Sequence, residues 1–196
     1  MPREAEKQEL IRQAAVRVFS RKGFYKTRAA EVAEEAGISV GTIYNYFRNK
    51  DEILLSIFKT EFEKRLSFFR ELMKTDIPIQ EKIRRILEEH LSQLKKHRSM
   101  AQLMMQERFN PGMGLRTRLM ELYGEMLTRV EELIEEGIEK NWVRPCHPKV
   151  VAQALLGVVE SISVYAIMHP HTETEETLKI APSELADLIW NGLKAT

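Results

Sequence analysis

The chain has 196 residues, 43% of them hydrophobic and 30% charged, which is enough apolar material for a core and argues against general disorder. Its one cysteine, Cys146, excludes an intrachain disulfide and a cysteine-cluster metal site. Net charge is +1 overall, but residues 1–50 carry 10 Lys+Arg against 6 Asp+Glu, while the remainder carries 20 against 23. A basic head on a mildly acidic body suits a protein with one end turned to a polyanion.

Residues 1–20 are charged and amphipathic without an apolar signal core, and no apolar run approaches the roughly 20 residues of a bilayer span, so a cytoplasmic chain without membrane contact is expected. Apolar residues recur at intervals of three and four, and no stretch alternates like a strand between hairpin turns; the chain reads as all-α. The first helix is expected at about 4–22, with Leu10, Ile11, Ala14, Ala15, Val18 and Phe19 inward and Gly23 ending it. Short helices are expected next, at about 28–36 and 40–46. Asn49 with Glu52 three residues on has the form of a capping box opening a long helix that runs toward Met73. Asp76-Ile77-Pro78 starts the next, Ser99 caps another, and Asn110-Pro111-Gly112 stops it. Further helices are expected at about 114–140, 148–168 and 182–194.

Residues 27–52 carry the chemistry. Two short helices are joined by Ala36-Gly37-Ile38-Ser39, where Gly37 can take a left-handed conformation that ends the first and Ser39 can cap the second. On a helical wheel Val40, Ile43 and Phe47 share one arc and face the core. Gly41 and Asn45 point away from it with Thr42 beside them, and Tyr44 and Tyr46 flank them. A face of glycine, amide, hydroxyl and phenols without an acid suits a DNA major groove, with base-edge bonds from Asn45 or Thr42 and phosphate bonds from the tyrosines. Lys50 at the next helix N-terminus, and Thr27 and Arg28 at the preceding one, are expected on phosphates.

Gly41 through Leu54, with Ala15-x-x-x-Phe19-x-x-x-Gly23-Phe24 and Val32-Ala33-x-x-Ala36-Gly37-Ile38-Ser39 upstream, resembles the signature of the TetR family of repressors. The resemblance implies about nine helices, a DNA-binding helix-turn-helix domain at 1–50 and a ligand-binding and dimerisation domain at 51–196. It also implies homodimerisation through the last two long helices and operator contacts from Thr27, Arg28, Ser39, Gly41, Tyr44, Asn45, Tyr46 and Lys50. The partners expected are double-stranded operator DNA, read as a pseudopalindrome, and a small hydrophobic effector.

Six of the nine methionines lie within 100–126, as an adaptable apolar lining or simply as core. Phe62, Phe69, Leu103, Met104, Phe109, Met120 and Tyr123 are candidate ligand residues. Arg108 and Arg116, with Arg118, surround the Asn110-Pro111-Gly112 break and could hold an anionic head, or form solvated surface ion pairs. This region is similar to fatty-acid-degradation regulators of the family, which implies a long-chain acyl-CoA effector. Val158, Ile162, Leu185 and Ile189, with Leu188 and Trp190, are the expected dimer face, or else fill the monomer core. No catalytic constellation, cofactor motif or metal-ligand spacing stands out: His169-x-His171 follows no HExxH pattern and Gly-x-Ser-x-Gly is absent. A regulator of efflux responding to lipophilic compounds, a helical interaction protein without DNA and a small-molecule enzyme on an α-bundle are the rival readings.

Overall fold

The computed structural model describes residues 4–109, 113–169 and 172–195, without the side chains of 108–109, 113–115 and 172–174. Among the described residues the chain forms nine α-helices: α1 (Glu4–Lys22), α2 (Ala29–Ala36), α3 (Val40–Tyr44), α4 (Lys50–Met73), α5 (Ile79–Lys96), α6 (Arg98–Phe109), α7 (Met113–Glu139), α8 (Pro148–Met168) and α9 (Thr172–Leu193). They belong to two compact units that are not consecutive in sequence. Unit 1 holds residues 1–64 and 99–121; unit 2 holds 65–98 and 122–196. A cut at residue 50, expected where the helix-turn-helix ends, therefore falls inside unit 1, because α6 and the start of α4 share its core.

In unit 1, α1 buries Ile11, Ala14, Ala15, Val18 and Phe19, and Gly23, at φ +82°, turns the chain out of the helix. Leu10, expected in this stripe, is instead 40% exposed, one step round the helix from Ile11. Phe24, Val32, Ile43, Phe47, Ile53, Leu54, Ile57 and Phe58 complete the core, with Phe19 and Phe24 edge to face at 5.1 Å. The capping of α4 is shifted by one residue from the expected box. Asn49 Oδ1 accepts the Glu52 N–H at 2.9 Å, but the Glu52 carboxylate reaches back to the N–H of Arg48 at 2.8 Å, not to that of Asn49. Ser99, expected as a cap, lies inside the first turn of α6, which begins at Arg98. The Asn110-Pro111-Gly112 break lies outside the described residues.

In unit 2, α5 and α9 pack along one another and α8 joins both. Leu87, Leu91 and Leu94 of α5 and Leu178, Ala181 and Ala186 of α9 are buried, and Gln80 Nε2 donates to Asp187 Oδ1 at 2.6 Å. The last helix begins ten residues before the expected 182, so Pro182 lies inside it. The Ala-Pro-Ser-Glu stretch has the form of a helix start, yet burial of Leu178 and Ala181 carries the helix through the lost N–H. After α7, Asn141 at φ +55° and the Trp142 N–H to the Gly137 carbonyl at 2.9 Å make a Schellman-type stop. A Cβ on Gly137 would meet Val143 at 2.8 Å, so only glycine admits this turn. The connector then lies against the chain's end: Arg144 N–H donates to Leu193 at 2.8 Å and Ala195 N–H to Trp142 at 3.1 Å.

Helix α8 corrects another expectation. By length and composition it could cross a bilayer, with a mean hydropathy of 1.8, and most of that span is not buried within the chain. Its exposed stripe runs Val150, Ala154, Gly157, Ser161, Tyr165, Met168, at helical spacing. On its inner side Ser163 Oγ donates to the Val159 carbonyl at 2.6 Å and so accepts from His90 Nε2 of α5 at 2.7 Å. Burial first, and the charge of Arg65 second, push His90 down to about 4 from the usual 6.5.

The folded chain thus refuses a proton that the unfolded chain accepts. His90 contributes stability that is fully present above pH 6.5 and is lost as pH falls toward about 4, by up to about 3 kcal/mol. Urea unfolding of His90→Gln at pH 7, 5 and 4 should show a flatter pH dependence than the parent chain over that interval; parallel curves would refute the assignment.

Candidate nucleic-acid interface

The exposed end of unit 1 is built by two tight terminations in succession. Gly37 at φ +65° donates to the Glu34 carbonyl, and Ile38 donates back to Ala33 at 3.0 Å, which stops α2 in a Schellman motif. Ser39 then starts α3: its Oγ accepts the Thr42 N–H at 3.1 Å and shares a hydrogen bond with the Thr42 hydroxyl at 2.9 Å. Helix α3 is 5 residues long, shorter than the expected 40–46, with Asn45 as its C-cap at helical φ and ψ. Ile43 and Phe47 anchor it inward, at 1% and 6% exposure. Val40, expected beside them, is 37% exposed, so the inner arc is narrower than the wheel implies.

Gly41, Tyr44 and Asn45 are exposed, and Thr42 and Tyr46 are half-buried at the margin. Arg28 is exposed at the start of α2, where its N–H donates to Glu31 Oε2 at 2.8 Å. These residues and Ser39 are the predicted contacts that the structure leaves wholly or partly exposed. Two predicted phosphate contacts are placed otherwise. Thr27 is 2% exposed and its hydroxyl donates to the Gly23 carbonyl at 2.9 Å. Lys50 is turned inward: its Nζ donates to the carbonyls of Phe24 at 2.6 Å and Thr27 at 2.9 Å, approaches that of Tyr25 at 3.5 Å, and lies 4.3 Å from the centre of the Phe24 ring. Burial pushes its ammonium below the usual lysine range, against the pull of Asp51, Glu107 and Glu31.

Basic residues of α1 are engaged with acids of α2. Glu35 receives Arg17 at 2.7 Å and Arg21 at 2.9 Å, and Glu31 pairs with Lys22. Hydrogen bonds from these cations hold both carboxyls below the usual glutamate range.

Sequence reasoning missed Glu107 of α6, which is 5% exposed with its Oε2 enclosed and without a hydrogen-bond partner, and whose carboxyl is raised above the usual glutamate range first by burial. A carboxylate set among residues read as apolar lining gives no local sign that the fold will enclose it. Its place on that apolar stretch is the one signal that could have drawn notice to it.

The predicted ligand residues divide between the units. Phe62, Leu103 and Met104 are buried in unit 1, where Arg116 and Met120 are exposed; Phe69 and Tyr123 are half-buried in unit 2. The side chains of Arg108 and Phe109 lie outside those described. Unit 2 also carries an open cleft of about 570 Å³ lined by Asp76, Ile79, Lys82, Trp142, Trp190 and Lys194 among others, and none of the predicted ligand residues lines it. Of the predicted dimer residues, Val158, Ile162, Leu185 and Ile189 are half-buried, one step round their helices from exposed Gly157, Ser161 and Leu188. Among the described residues no group of three or more His, Cys, Asp or Glu is arranged to hold a metal.

An all-helical chain presenting a capped, polar second helix of a helix-turn-helix is a DNA-binding transcription regulator. Residues 11–57 match the family model of bacterial regulatory proteins of the tetR family, and residues 76–164 match that of the tetracyclin repressor-like C-terminal domain. The chain belongs to the TetR family. It is 25% identical to the fatty acid metabolism regulator protein of Bacillus subtilis over 98% of each chain, and 26% identical to the HTH-type transcriptional regulator YhgD of the same organism over 87% of this chain and 90% of that one. The fold is shared with the fatty acid degradation regulator FadR from Bacillus halodurans, with a TM-score of 0.86, 24% identity and full coverage of both chains. It is shared too with FadR from Bacillus subtilis in complex with stearoyl-CoA, with a TM-score of 0.83, 24% identity and coverage of 94% of this chain and 98% of that one.

Gly41 tests the interface directly. It has ordinary backbone angles, and a Cβ there would meet nothing closer than Ser39 Oγ at 3.7 Å. Gly41→Ala should therefore fold as well as the parent chain or up to about 1 kcal/mol better. A groove needing close approach at this point loses affinity all the same. A raised or equal Tm with weaker binding to promoter DNA is expected; unchanged affinity would take Gly41 out of the interface.

Proposed function

We propose that this chain is a ligand-controlled repressor that binds a pseudopalindromic operator as a homodimer and whose effector is a long-chain acyl-CoA. The observation that carries the DNA part is the surface of Arg28, Ser39, Gly41, Thr42, Tyr44, Asn45 and Tyr46, polar, without an acid, and mounted on a helix whose other side is anchored by Ile43 and Phe47. Asn45 and Thr42 serve base edges, and Arg28 and the tyrosines serve phosphates. The effector part is supported by likeness along the whole chain to the fatty acid metabolism regulator protein, and by the fold shared with a regulator solved with stearoyl-CoA. Within unit 1 the buried Phe62, Leu103 and Met104 are the candidates for its acyl tail, and exposed Arg116 for its anionic head. Effector and operator then compete through two states of the dimer that differ in the spacing of their recognition helices.

Retardation of the chain's own upstream promoter fragment should show a specific complex, and stearoyl-CoA should release it in proportion to occupancy. A fragment bound no better than random DNA ends the operator reading. Binding without any response to, or thermal stabilisation by, acyl-CoA of any chain length ends the effector reading.

A second copy is supported by the exposed stripe of α8, Val150, Ala154, Gly157, Ser161, Tyr165 and Met168, together with Ile180 and Leu188 of α9. Apolar side chains at helical spacing, interrupted by small residues, let a partner helix come close and are otherwise costly to leave in water. Gly157 lies within this stripe, and a Cβ there would meet nothing within 4 Å inside the chain. Gly157→Arg should leave the helical content unchanged and halve the mass seen by light scattering; an unaltered dimer would place the interface elsewhere.

A further inference from the structure

The cleft of unit 2 is lined by three segments that tertiary hydrogen bonds hold in place. The turn from α4 to α5 is fastened by Lys82, whose Nζ reaches back from α5 and donates to the Met73 carbonyl at 3.0 Å. Trp142 follows the stop of α7, and its carbonyl accepts the Ala195 N–H at 3.1 Å, while Arg144 N–H donates to Leu193 at 2.8 Å. The two segments that carry the tryptophans are thus clasped together. Trp190 and Lys194 lie one helical turn apart, with the Lys194 N–H on the Trp190 carbonyl at 2.8 Å, so they share a side of α9. Leu188, two positions before Trp190, points nearly the opposite way and is 66% exposed. The cleft and the exposed apolar side of α9 are therefore different faces.

Two features set this lining apart from an ordinary surface groove. It holds both tryptophans of the chain, and it holds Lys82, which is only 7% exposed. Among the described residues Lys82 makes no ion pair, although Asp76 lines the same cleft. A cation drawn out of water destabilises a fold unless an anion or a full set of acceptors meets it. The Met73 carbonyl takes one of three ammonium donors. Closing the end of α4 accounts for that one bond, but not for a charge left beside two indoles. Lys194 adds a second cation, its Nζ donating to Asn191 Oδ1 at 3.0 Å. The volume of about 570 Å³ falls within the span of small-molecule pockets.

We propose that this cleft is a second small-molecule site and that it takes a small aromatic carboxylic acid. The ring of the acid packs against Trp142 and Trp190, and its carboxylate meets the Lys82 ammonium, with Lys194 as the further cation. None of the residues proposed for the acyl-CoA effector lines the cleft, so the site stands independently of that reading.

The probes are benzoate, its neutral counterpart benzamide and its saturated counterpart cyclohexanecarboxylate, titrated into the full chain by calorimetry. Tryptophan emission, excited where benzoate does not absorb, is followed in parallel, because both indoles of the chain line the cleft. Benzoate is expected to bind saturably and to change the emission. Benzamide is expected to bind at least about tenfold more weakly, the weight of one charge-assisted hydrogen bond, and cyclohexanecarboxylate several-fold more weakly for want of a ring face. Lys82→Met, which keeps the length of the side chain and removes the charge, should lose about tenfold for benzoate and leave benzamide unchanged. Trp142→Ala, at a residue 40% exposed, should weaken both aromatic probes and carries the test should Lys82→Met not fold. Stearoyl-CoA should not displace benzoate.

Absence of saturable benzoate binding overturns the proposal, as does benzamide binding equally well or folded Lys82→Met retaining full affinity. Cyclohexanecarboxylate binding as tightly as benzoate, or Trp142→Ala without effect, overturns the part given to the rings. Competitive displacement by stearoyl-CoA would merge the cleft with the effector pocket and end its standing as a second site. A chain that ignores stearoyl-CoA and still binds benzoate defeats the effector reading alone.

Discussion

One ammonium closes the DNA-binding unit. Lys50 stands at the first position of α4, where the positive end of the helix dipole disfavours a cation. Asp51 and Glu52 in the same turn offset part of that, and the carbonyls of Phe24 and Thr27, with the Phe24 ring, supply the rest. A charge placed against its local preference reports a tertiary requirement. Here the loop between α1 and α2 presents carbonyls that no helix satisfies, and the lysine supplies donors from a helix that begins 26 residues after Phe24. Remove it, and the entry to α2 loses its fixed direction.

The glycines sort the surface into what the fold needs and what it does not. Gly23 and Gly37 are held at positive φ, and Gly137 meets Val143 too closely for any Cβ; the chain's own geometry selects all three. Gly41, Gly157, Gly124 and Gly192 have neither constraint, and the first two lie on the surfaces of the proposed function. Gly41 lies beside exposed Tyr44 and Asn45, and Gly157 beside exposed Ser161. Glycine in a helix lowers its stability relative to alanine. Where nothing inside the chain requires it, the position leaves room for something outside to come close. These two sites are where we place nucleic acid and a second copy.

Much of the fold is legible in the sequence because it is local. Helix starts and stops come from Gly23, Gly37, Ser39, Asn49 and Pro148, whose effects reach no further than one turn. The apolar spacing of α1, α3 and α4 places their inner sides, with Leu10 and Val40 misjudged because a wheel cannot say how wide the covering neighbour is. Pro182 misleads for the opposite reason: its local preference for a helix start is overridden by burial of Leu178 and Ala181. Thr27 and Lys50 look like phosphate ligands by residue type and position, yet both have inward partners. The burial of Glu107 has no sequence period at all, since only the fold encloses it.

The same logic bears on how such a head recognises DNA. Its excess of basic residues suggests a surface that binds by charge, but Arg17, Arg21 and Lys22 are engaged with Glu35 and Glu31, and Lys50 with backbone carbonyls. Ion pairs as exposed as these add little to stability. Their effect is geometric: three bonds between α1 and α2 fix the angle at which α2 delivers α3. Charge that looks available for phosphates is in large part used to hold the reading helix in place. Among the described residues, Lys26, Arg28 and Arg48 remain exposed beside neutral hydrogen-bonding groups at Ser39, Thr42, Tyr44, Asn45 and Tyr46. A surface of that kind draws less of its affinity from counterion release and more from fit to base edges and backbone, so discrimination between sequences, rather than strength of binding to any duplex, is what this arrangement favours.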